Sequence, residues 1–190
     1  MSNVGQRRGP GSRAGGDHPT RLELVHAATD LAERKGLSAL TVDAITKAAG
    51  HAKGTFYVHF SDRTELLIEM HRRFHDELFD RIAASVERDA DGPARVRASI
   101  TAFLEGCRGQ VVVRAMLFQA RHEPVIADLA QQRNEQAAKA LASDLRGSTS
   151  TPDETARLLV TATVEVAIQE LTSGRRLPRL RSALLAMVPS

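Results

Sequence analysis

Lys53, Gly54, Thr55, Tyr57 and His59 fall within seven consecutive positions of a 190-residue chain, and together they carry the groups that recognition of a polyanion needs. A lysine can neutralise a phosphate or reach a guanine edge, and a glycine removes the side chain that would hold a backbone away. A threonine offers a hydroxyl to phosphate or a methyl to thymine, and Tyr57 and His59 add donors for phosphate oxygens without needing full charge. Phe56 and Phe60 are interleaved with them. The chain has six Phe, one Tyr and no Trp, so three of its seven aromatic side chains stand between positions 56 and 60. On a helical wheel Ala52, Phe56 and Phe60 share one side, while Lys53, Gly54, Thr55, Tyr57 and Val58 lie around the other. Phe56 and Phe60 are therefore expected to anchor a short helix on Leu31, Ile45 and the start of the next helix. The remaining set, with His59, is expected to face DNA. The plainer alternative is an ordinary short core helix with a snorkelling lysine.

Other residues could carry different chemistry. His71 and His75 stand at i, i+4, the spacing of two metal ligands on one helix, but no Glu lies beside His71 and no third ligand is evident. They read as surface histidines. Beyond that pair, no nucleophile–base pair, metal-ligand spacing or phosphate-binding glycine loop occurs, so no catalytic residue, metal or cofactor is expected. Cys107 is the only cysteine, which excludes an internal disulfide and a thiolate cluster within one chain. It is a buried inert thiol or a redox sensor. Glu165 and Gln169 are polar residues four apart in an otherwise apolar segment. Facing inward, they could meet a cationic or hydrogen-bonding ligand; facing outward, they are solvated surface.

The elements that must position these residues are all helical. Hydrophobic residues make up 42% of the chain, period-2 alternation is hard to find, and Leu, Ala, Arg and Glu abound. Residues 1–60 contain eight Lys/Arg against five Asp/Glu, and 61–190 eighteen of each, so the whole surplus positive charge lies in the first third. A local basic excess points to nucleic acid or a membrane surface, or to a solvated tail. The N-terminus has no apolar segment suited to a signal sequence. The most apolar run, 158–168, is too short for a bilayer, which needs ~20 apolar residues. A soluble, cytoplasmic protein is expected.

Residues 1–19, with Arg7, Arg8, Arg13 and five Gly in the first sixteen positions, should form a flexible basic arm. A first helix starts at Thr20 and Glu23 in capping-box spacing, carries Leu24, Ala27, Ala28 and Leu31 on one face, and stops at Gly36. A second follows Thr41 as N-cap, with Val42, Ile45 and Ala49 on one side, and breaks at Ala49-Gly50-His51. The third spans about 52–58. Asp62 and Glu65 launch a long helix with Leu67, Met70, Phe74, Leu78 and Ile82 at 3/4 spacing. Further helices are expected over about 94–108, 111–122, from Pro124 to near Gly147, 152–174 and 178–188. Thr151, Pro152 and Glu154 give the strongest helix start in the chain. About nine helices result. In the helix 152–174, Ala156, Leu159, Val160, Thr163, Val166, Ala167 and Leu171 form a stripe suited to a dimer seam, or facing only the chain's own core. The helix 178–188, with Leu180, Leu184, Leu185 and Val188, would be its partner.

The stretch LTVDAITKAAGHAKGTFYVHFSDRTELL (40–67) resembles the N-terminal DNA-binding domain of the TetR family of bacterial transcriptional regulators. The matching features are Thr41 opening the second helix, Ile45, the Ala48-Ala49-Gly50 turn and Lys53-Gly54-Thr55. Tyr57-Val58-His59-Phe60 and Arg63 through Leu67 complete the match, and with the first helix the likeness extends over roughly 20–67. The resemblance implies an all-α chain: a basic arm (1–19), a three-helix helix-turn-helix domain (20–66) and a larger ligand-binding and dimerisation domain (67–190). It implies that 52–58 is the recognition helix, with Thr41, Tyr57, His59 and Arg63 on the DNA backbone and Lys53 to Thr55 nearest the bases. The arm resembles extensions that in some members enter the minor groove. Two departures stand out: Ala52, where the family often has Ser or Thr, removes an N-cap, and His51 replaces a small apolar turn residue. His51 is a structural turn residue or, protonated, a phosphate contact.

The same resemblance implies a homodimer through helices 152–174 and 178–188, a palindromic double-stranded DNA operator and an unidentified small-molecule effector. The candidates for effector contacts are Met70, Phe74, Phe103, Cys107, Met116, Phe118, Gln119, Glu165 and Gln169. A ligand-responsive repressor is the expected function, with activation open. A helical small-molecule carrier or enzyme with an incidental basic N-terminus, and a sequence-tolerant DNA binder using only the arm, are the alternatives.

Overall fold

The computed structural model describes residues 18–86, 91–108 and 124–190. The described residues are all-helical, with eight α-helices and one 3-10 turn. They divide into two compact units, Met1–Met70 and His71–Ser190. The expected helix over 111–122, the arm, and Met116, Phe118 and Gln119 lie outside the described residues, apart from the arm's last two positions.

In the first unit, α1 (Pro19–Lys35) buries Arg21, Leu24, Val25, Ala28, Leu31 and Ala32 at helical spacing. Its start corrects the expected Thr20/Glu23 box. Proline fixes φ and lacks an N–H, so Pro19 suits the first helical position, and the cap falls to His18, whose Nδ1 accepts from the Thr20 N–H at 3.3 Å. Glu23 is then free to pair with His51 in the turn before α3, Nε2 to Oε2 at 2.7 Å. His51 thus ties that turn back to α1.

Gly36, at φ 80, ends α1, and a 3-10 turn (Leu37–Ala39) leads to α2 (Val42–Ala48). Thr41 caps α2, its Oγ1 accepting from the Ala44 N–H at 3.1 Å. Gly50, at φ 72, makes the turn into α3 (Lys53–His59). Ala52 sits at the N-cap of α3 with extended φ/ψ and no side-chain bond, so α3 depends on packing. Phe56 and Phe60 supply it: both are fully buried, with rings 5.5 Å apart. Removing such a side chain typically costs about 3–5 kcal/mol.

Helix α4 (Arg63–Ser85) opens with Asp62, whose Oδ1 accepts from the Glu65 N–H at 2.9 Å, while Glu65 accepts from the Ser61 N–H and hydroxyl. Its first residues, Leu66, Leu67 and Met70, are buried in the first unit.

The second unit contains the rest of α4 with α5 (Gly92–Cys107), α6 (Pro124–Asp144), α7 (Pro152–Ser173) and α8 (Pro178–Ala186). Its core is aliphatic, centred on Leu78, Val96, Ile100, Leu104, Leu145, Leu159 and Leu184. Gly106 lets α5 approach closely, since a Cβ there would stand 2.3 Å from Leu78 Cδ1. Thr151 occupies the N-cap of α7 but makes no side-chain capping bond, its φ/ψ of −128° and 62° being off the usual cap geometry. Beyond the αL turn at Gly174, Arg181 of α8 is buried against Glu170 of α7. Its Nε and Nη2 donate to Oε1 and Oε2 at 2.7 and 2.6 Å, and Nη1 donates to Glu105 of α5. Glu170 also accepts from the Leu177 N–H at 2.8 Å, which fixes the α7–α8 turn. No described helix is long and apolar enough to cross a membrane.

Candidate nucleic-acid interface and effector cavity

Helix α3 is two turns long, about 10 Å at 1.5 Å per residue, so its two faces must be assigned residue by residue. Phe56 and His59 are buried; Lys53, Gly54, Tyr57 and Val58 are exposed, and Thr55 is half-buried. A Cβ at Gly54 would meet no protein atom within 4 Å, so the bare backbone there serves no packing need of the chain itself. Tyr57 is 55% exposed, and its ring stands edge-on to Phe56 at 5.5 Å. The anchor therefore orients the exposed phenol. Lys53 Nζ lies 3.0 Å from Asp43 Oδ1 of α2, and the hydrogen bond to that carboxylate raises the lysine's pKa. Thr41 is exposed; its oxygen is used in capping, which leaves the hydroxyl hydrogen to donate.

Two expected contacts stand elsewhere. His59 is only 3% exposed, so its ring does not share the outward face, correcting the expectation. It lies three residues after Phe56, on the same side of the helix. Burial, with His18, Arg21 and His51 nearby, lowers its pKa and favours neutral imidazole, and its Nδ1 is buried with no partner. Arg63 is turned onto the chain's own backbone, Nε donating to Leu40 O and Nη2 to Leu37 O, both at 3.0 Å.

The residue that sequence reasoning missed is Arg21. It is buried on the inward stripe of α1 and donates to the His59 carbonyl at the end of α3. Its guanidinium lies 4.1 Å over the Phe60 ring and reaches Glu65 and Glu69 at 3.7 and 3.5 Å. One cation thus holds the C-terminal end of the short helix. Its signal was available: a charged residue in register with Leu24, Ala28 and Leu31.

In the second unit a cavity of about 130 Å³ opens between α4, α5, α6 and α7. Phe79, Ile82, Ile100, Phe103, Leu141 and Val160 give it mainly apolar walls, with His75, Arg133, Asn134, Ser99 and Thr163 as its polar lining. Of the expected effector contacts among the described residues, Phe103 alone lines it. Phe74 packs beside the core, its ring 5.2 Å from His75, and Met70 is buried in the first unit. Cys107 is buried, and burial pushes its thiol up to about 12, which makes it inert at neutral pH. Glu165 and Gln169 are exposed and bond to each other at 2.8 Å, so the pair faces outward, away from the cavity.

His71 and His75 are not surface residues as expected. Their rings are 4.4 Å apart, and both Nδ1 atoms are buried without a partner. Desolvation lowers their pKa values to about 4 and about 3, helped by Arg133 and, for His75, by His71. Among the described residues no cluster of three His, Cys, Asp or Glu could hold a metal ion. The expected seam stripe on α7 is likewise turned inward. Ala156, Leu159, Val160, Thr163, Val166 and Ala167 are buried in the chain's own core, with Leu171 packed against it. The exposed large apolar residues on this part of the chain are Leu158 and Met187, 65% and 53% exposed.

Residues 24–70 match the family model described as bacterial regulatory proteins, tetR family. The chain is 29% identical over 113 residues to the HTH-type transcriptional activator FasR of Mycolicibacterium smegmatis, covering 55% of this chain and 52% of that protein. It is 33% identical over 96 residues to the HTH-type transcriptional repressor KstR2 of Rhodococcus jostii, covering 50% and 47%. The chain thus spans about half the length of the curated relatives it matches. The crystal structure of a transcriptional regulator from Rhodococcus sp. Rha1 is similar with a TM-score of 0.73 and 23% identity, covering 88% of this chain and 93% of that one. That is a likeness of fold.

Proposed function

We propose that the chain is a DNA-binding transcriptional regulator of the tetR family of bacterial regulatory proteins, whose family model its residues 24–70 match, and a ligand-responsive repressor acting as a homodimer on a palindromic operator. The observation that carries this reading is the division of α3. Phe56 and Phe60 hold it from within, while Lys53, Gly54 and Tyr57 are left exposed on a short helix. Lys53, Gly54 and Thr55 meet base edges and phosphates in the major groove, with Tyr57 and Thr41 on the flanking backbone. Arg63 acts at one remove, by holding the loop that presents Thr41. The basic residues of the arm, Arg7, Arg8 and Arg13, add phosphate or minor-groove contacts.

One helix-turn-helix unit reads few base pairs, and dimers that read two half-sites are the usual solution. The outward faces of α7 and α8, including Leu158 and Met187, supply the dimer contact. The effector occupies the cavity lined by His75, Phe79 and Phe103. Helix α4 contributes Leu66 and Leu67 to the first core and His75, Phe79 and Ile82 to the cavity wall, so a ligand that displaces α4 biases the dimer toward a spacing that no longer fits the operator. The protein works in the cytoplasm, where its operator is.

Selection of bound sequences from a random duplex library at moderate salt tests the reading. A recovered palindrome whose affinity falls in Tyr57→Ala, with the dimer intact, supports it. Enrichment without a consensus would reduce the chain to a sequence-tolerant DNA binder, and no retention at any salt would overturn DNA binding altogether.

A further inference from the structure

Val58 is 58% exposed and takes no part in anchoring α3, which Phe56 and Phe60 do. A single exposed valine is ordinary on a protein surface, so its meaning lies in where it stands. Helix α3 turns by about 100° per residue, and its buried residues, Phe56 and His59, mark the inward side. Gly54 lies opposite them. One turn later Tyr57 and Val58 straddle the same line, Tyr57 toward Lys53 and Val58 toward Thr55. The outward face thus has a bare backbone at its centre, a phenol and a valine beyond it, and Lys53 and Thr55 at its margins.

When a helix lies along a major groove, its outward centre meets the base edges and its margins meet the phosphate walls. Val58 has no hydrogen-bonding side-chain group, so it gains nothing from phosphate or from the polar edge of a base. The apolar group that the major groove offers is the C5-methyl of thymine. With no side chain at Gly54, the helix can come close enough for the Val58 methyls to touch it. A valine in a helix is held largely in one χ1 rotamer, so the contact loses little side-chain freedom. A protein partner fits this spot less well. Two side chains cover a small part of the about 800 Å² that a stable interface buries on each side, and the surplus positive charge of residues 1–60 favours a polyanion.

We propose that Val58 reads a thymine in each operator half-site through its C5-methyl, and so sets a base preference separate from the contacts of Lys53, Thr55 and Tyr57. The inference rests on α3 being the helix that enters the major groove, and it adds a base that this helix selects.

The test takes the full chain and the consensus duplex recovered from a random library at moderate salt. Each thymine of one half-site is replaced in turn by uracil, which keeps base pairing and lacks only the methyl. Affinity is read by fluorescence anisotropy. One such replacement should weaken binding by about fourfold, the scale of one buried methyl. In Val58→Ala that same replacement should change affinity by less than about twofold, with the penalties at other thymines unaltered. A purely structural role would lower affinity for every duplex alike and leave the uracil penalty in place. Because Val58 is exposed, the variant should keep its helical circular dichroism; if it does not, Val58→Ser decides. A half-site with no uracil-sensitive thymine, or a penalty that persists in the folded variant, would overturn the role of Val58 and leave DNA binding by α3 standing. Failure to recover a consensus, or to retain any duplex, would overturn that role together with the sequence-specific reading on which it rests.

Discussion

Lys53 Nζ stands 3.0 Å from Asp43 Oδ1, so the exposed cation at the start of α3 is held by a carboxylate in the first turn of α2. Such exposed pairs contribute little to stability, and Asp43 also favours its helix N-terminus electrostatically. For DNA the pair acts differently, because the carboxylate competes with phosphate for the lysine. Asp43→Asn should leave the thermal midpoint nearly unchanged and raise DNA affinity several-fold at low salt. Lys53→Ala should weaken binding and reduce the slope of log K against log salt by about one. Fluorescence anisotropy of a labelled duplex over a salt series measures both.

Ala52 has the extended φ/ψ of an N-cap, −72° and 151°, but no side-chain oxygen. Ala52→Ser should therefore supply the missing acceptor without moving the backbone, and stabilise the first unit by about 0.5–2 kcal/mol in chemical denaturation. A neutral or destabilising result would mean that the N–H groups at the start of α3 are already satisfied.

Arg181 and Glu170 form a buried two-point pair, 7% and 5% exposed. Glu170→Ala leaves the guanidinium with Glu105 as its remaining carboxylate partner and should destabilise the second unit by about 1.5–3 kcal/mol, the scale of hydrogen bonds to a charged group. The bond from Arg181 lowers the Glu170 pKa against the opposing effect of burial, with help from the Leu177 N–H. Its contribution is therefore complete above the ordinary carboxyl value of 4.5 and is lost as pH falls through the depressed folded value. The gap in thermal midpoint between the wild type and Glu170→Gln should narrow over that acidic window.

His71 and His75 titrate in the same direction but over a wider range. Unfolded, each imidazole takes up a proton near pH 6.5; folded, only near 4 and 3. Below pH 6.5 the unfolded chain therefore holds more protons, and stability drops until both folded values have been passed. His71→Leu combined with His75→Leu should flatten the decline in thermal midpoint between about pH 6.5 and 4. A profile identical to the wild type would show that these rings do not set it.

The local sequence carried most of the helix-turn-helix. Thr41, Gly36, Gly50, Asp62 and the uncapped Ala52 act through bonds and dihedrals within a few residues of themselves, and the helices start and stop where those residues indicate. The failures have a different origin. Thr20 and Glu23 have capping-box spacing, but Pro19 moves the N-cap back two residues, to His18, and leaves Glu23 to His51. His59 is polar by type, yet its position three after Phe56 places it inside. On α7 the small and branched residues suited a seam between chains equally well as a seam between helices, and the chain's own α6, α5 and α8 took them. Glu165 and Gln169 satisfy each other outside, while the cavity's polar lining came from His75 and Arg133, which are separated by much of the sequence. Which side of an amphipathic helix is covered, and by what, depends on partners far along the chain.

Tyr57 also has an optical consequence. The chain contains one Tyr and no Trp, and that Tyr lies exposed on the face assigned to the operator. Its emission, excited near the tyrosine band, comes from a single site. Stacking or hydrogen bonding at a duplex would quench it, so the unlabelled protein carries its own spectroscopic reporter of whether α3 is engaged.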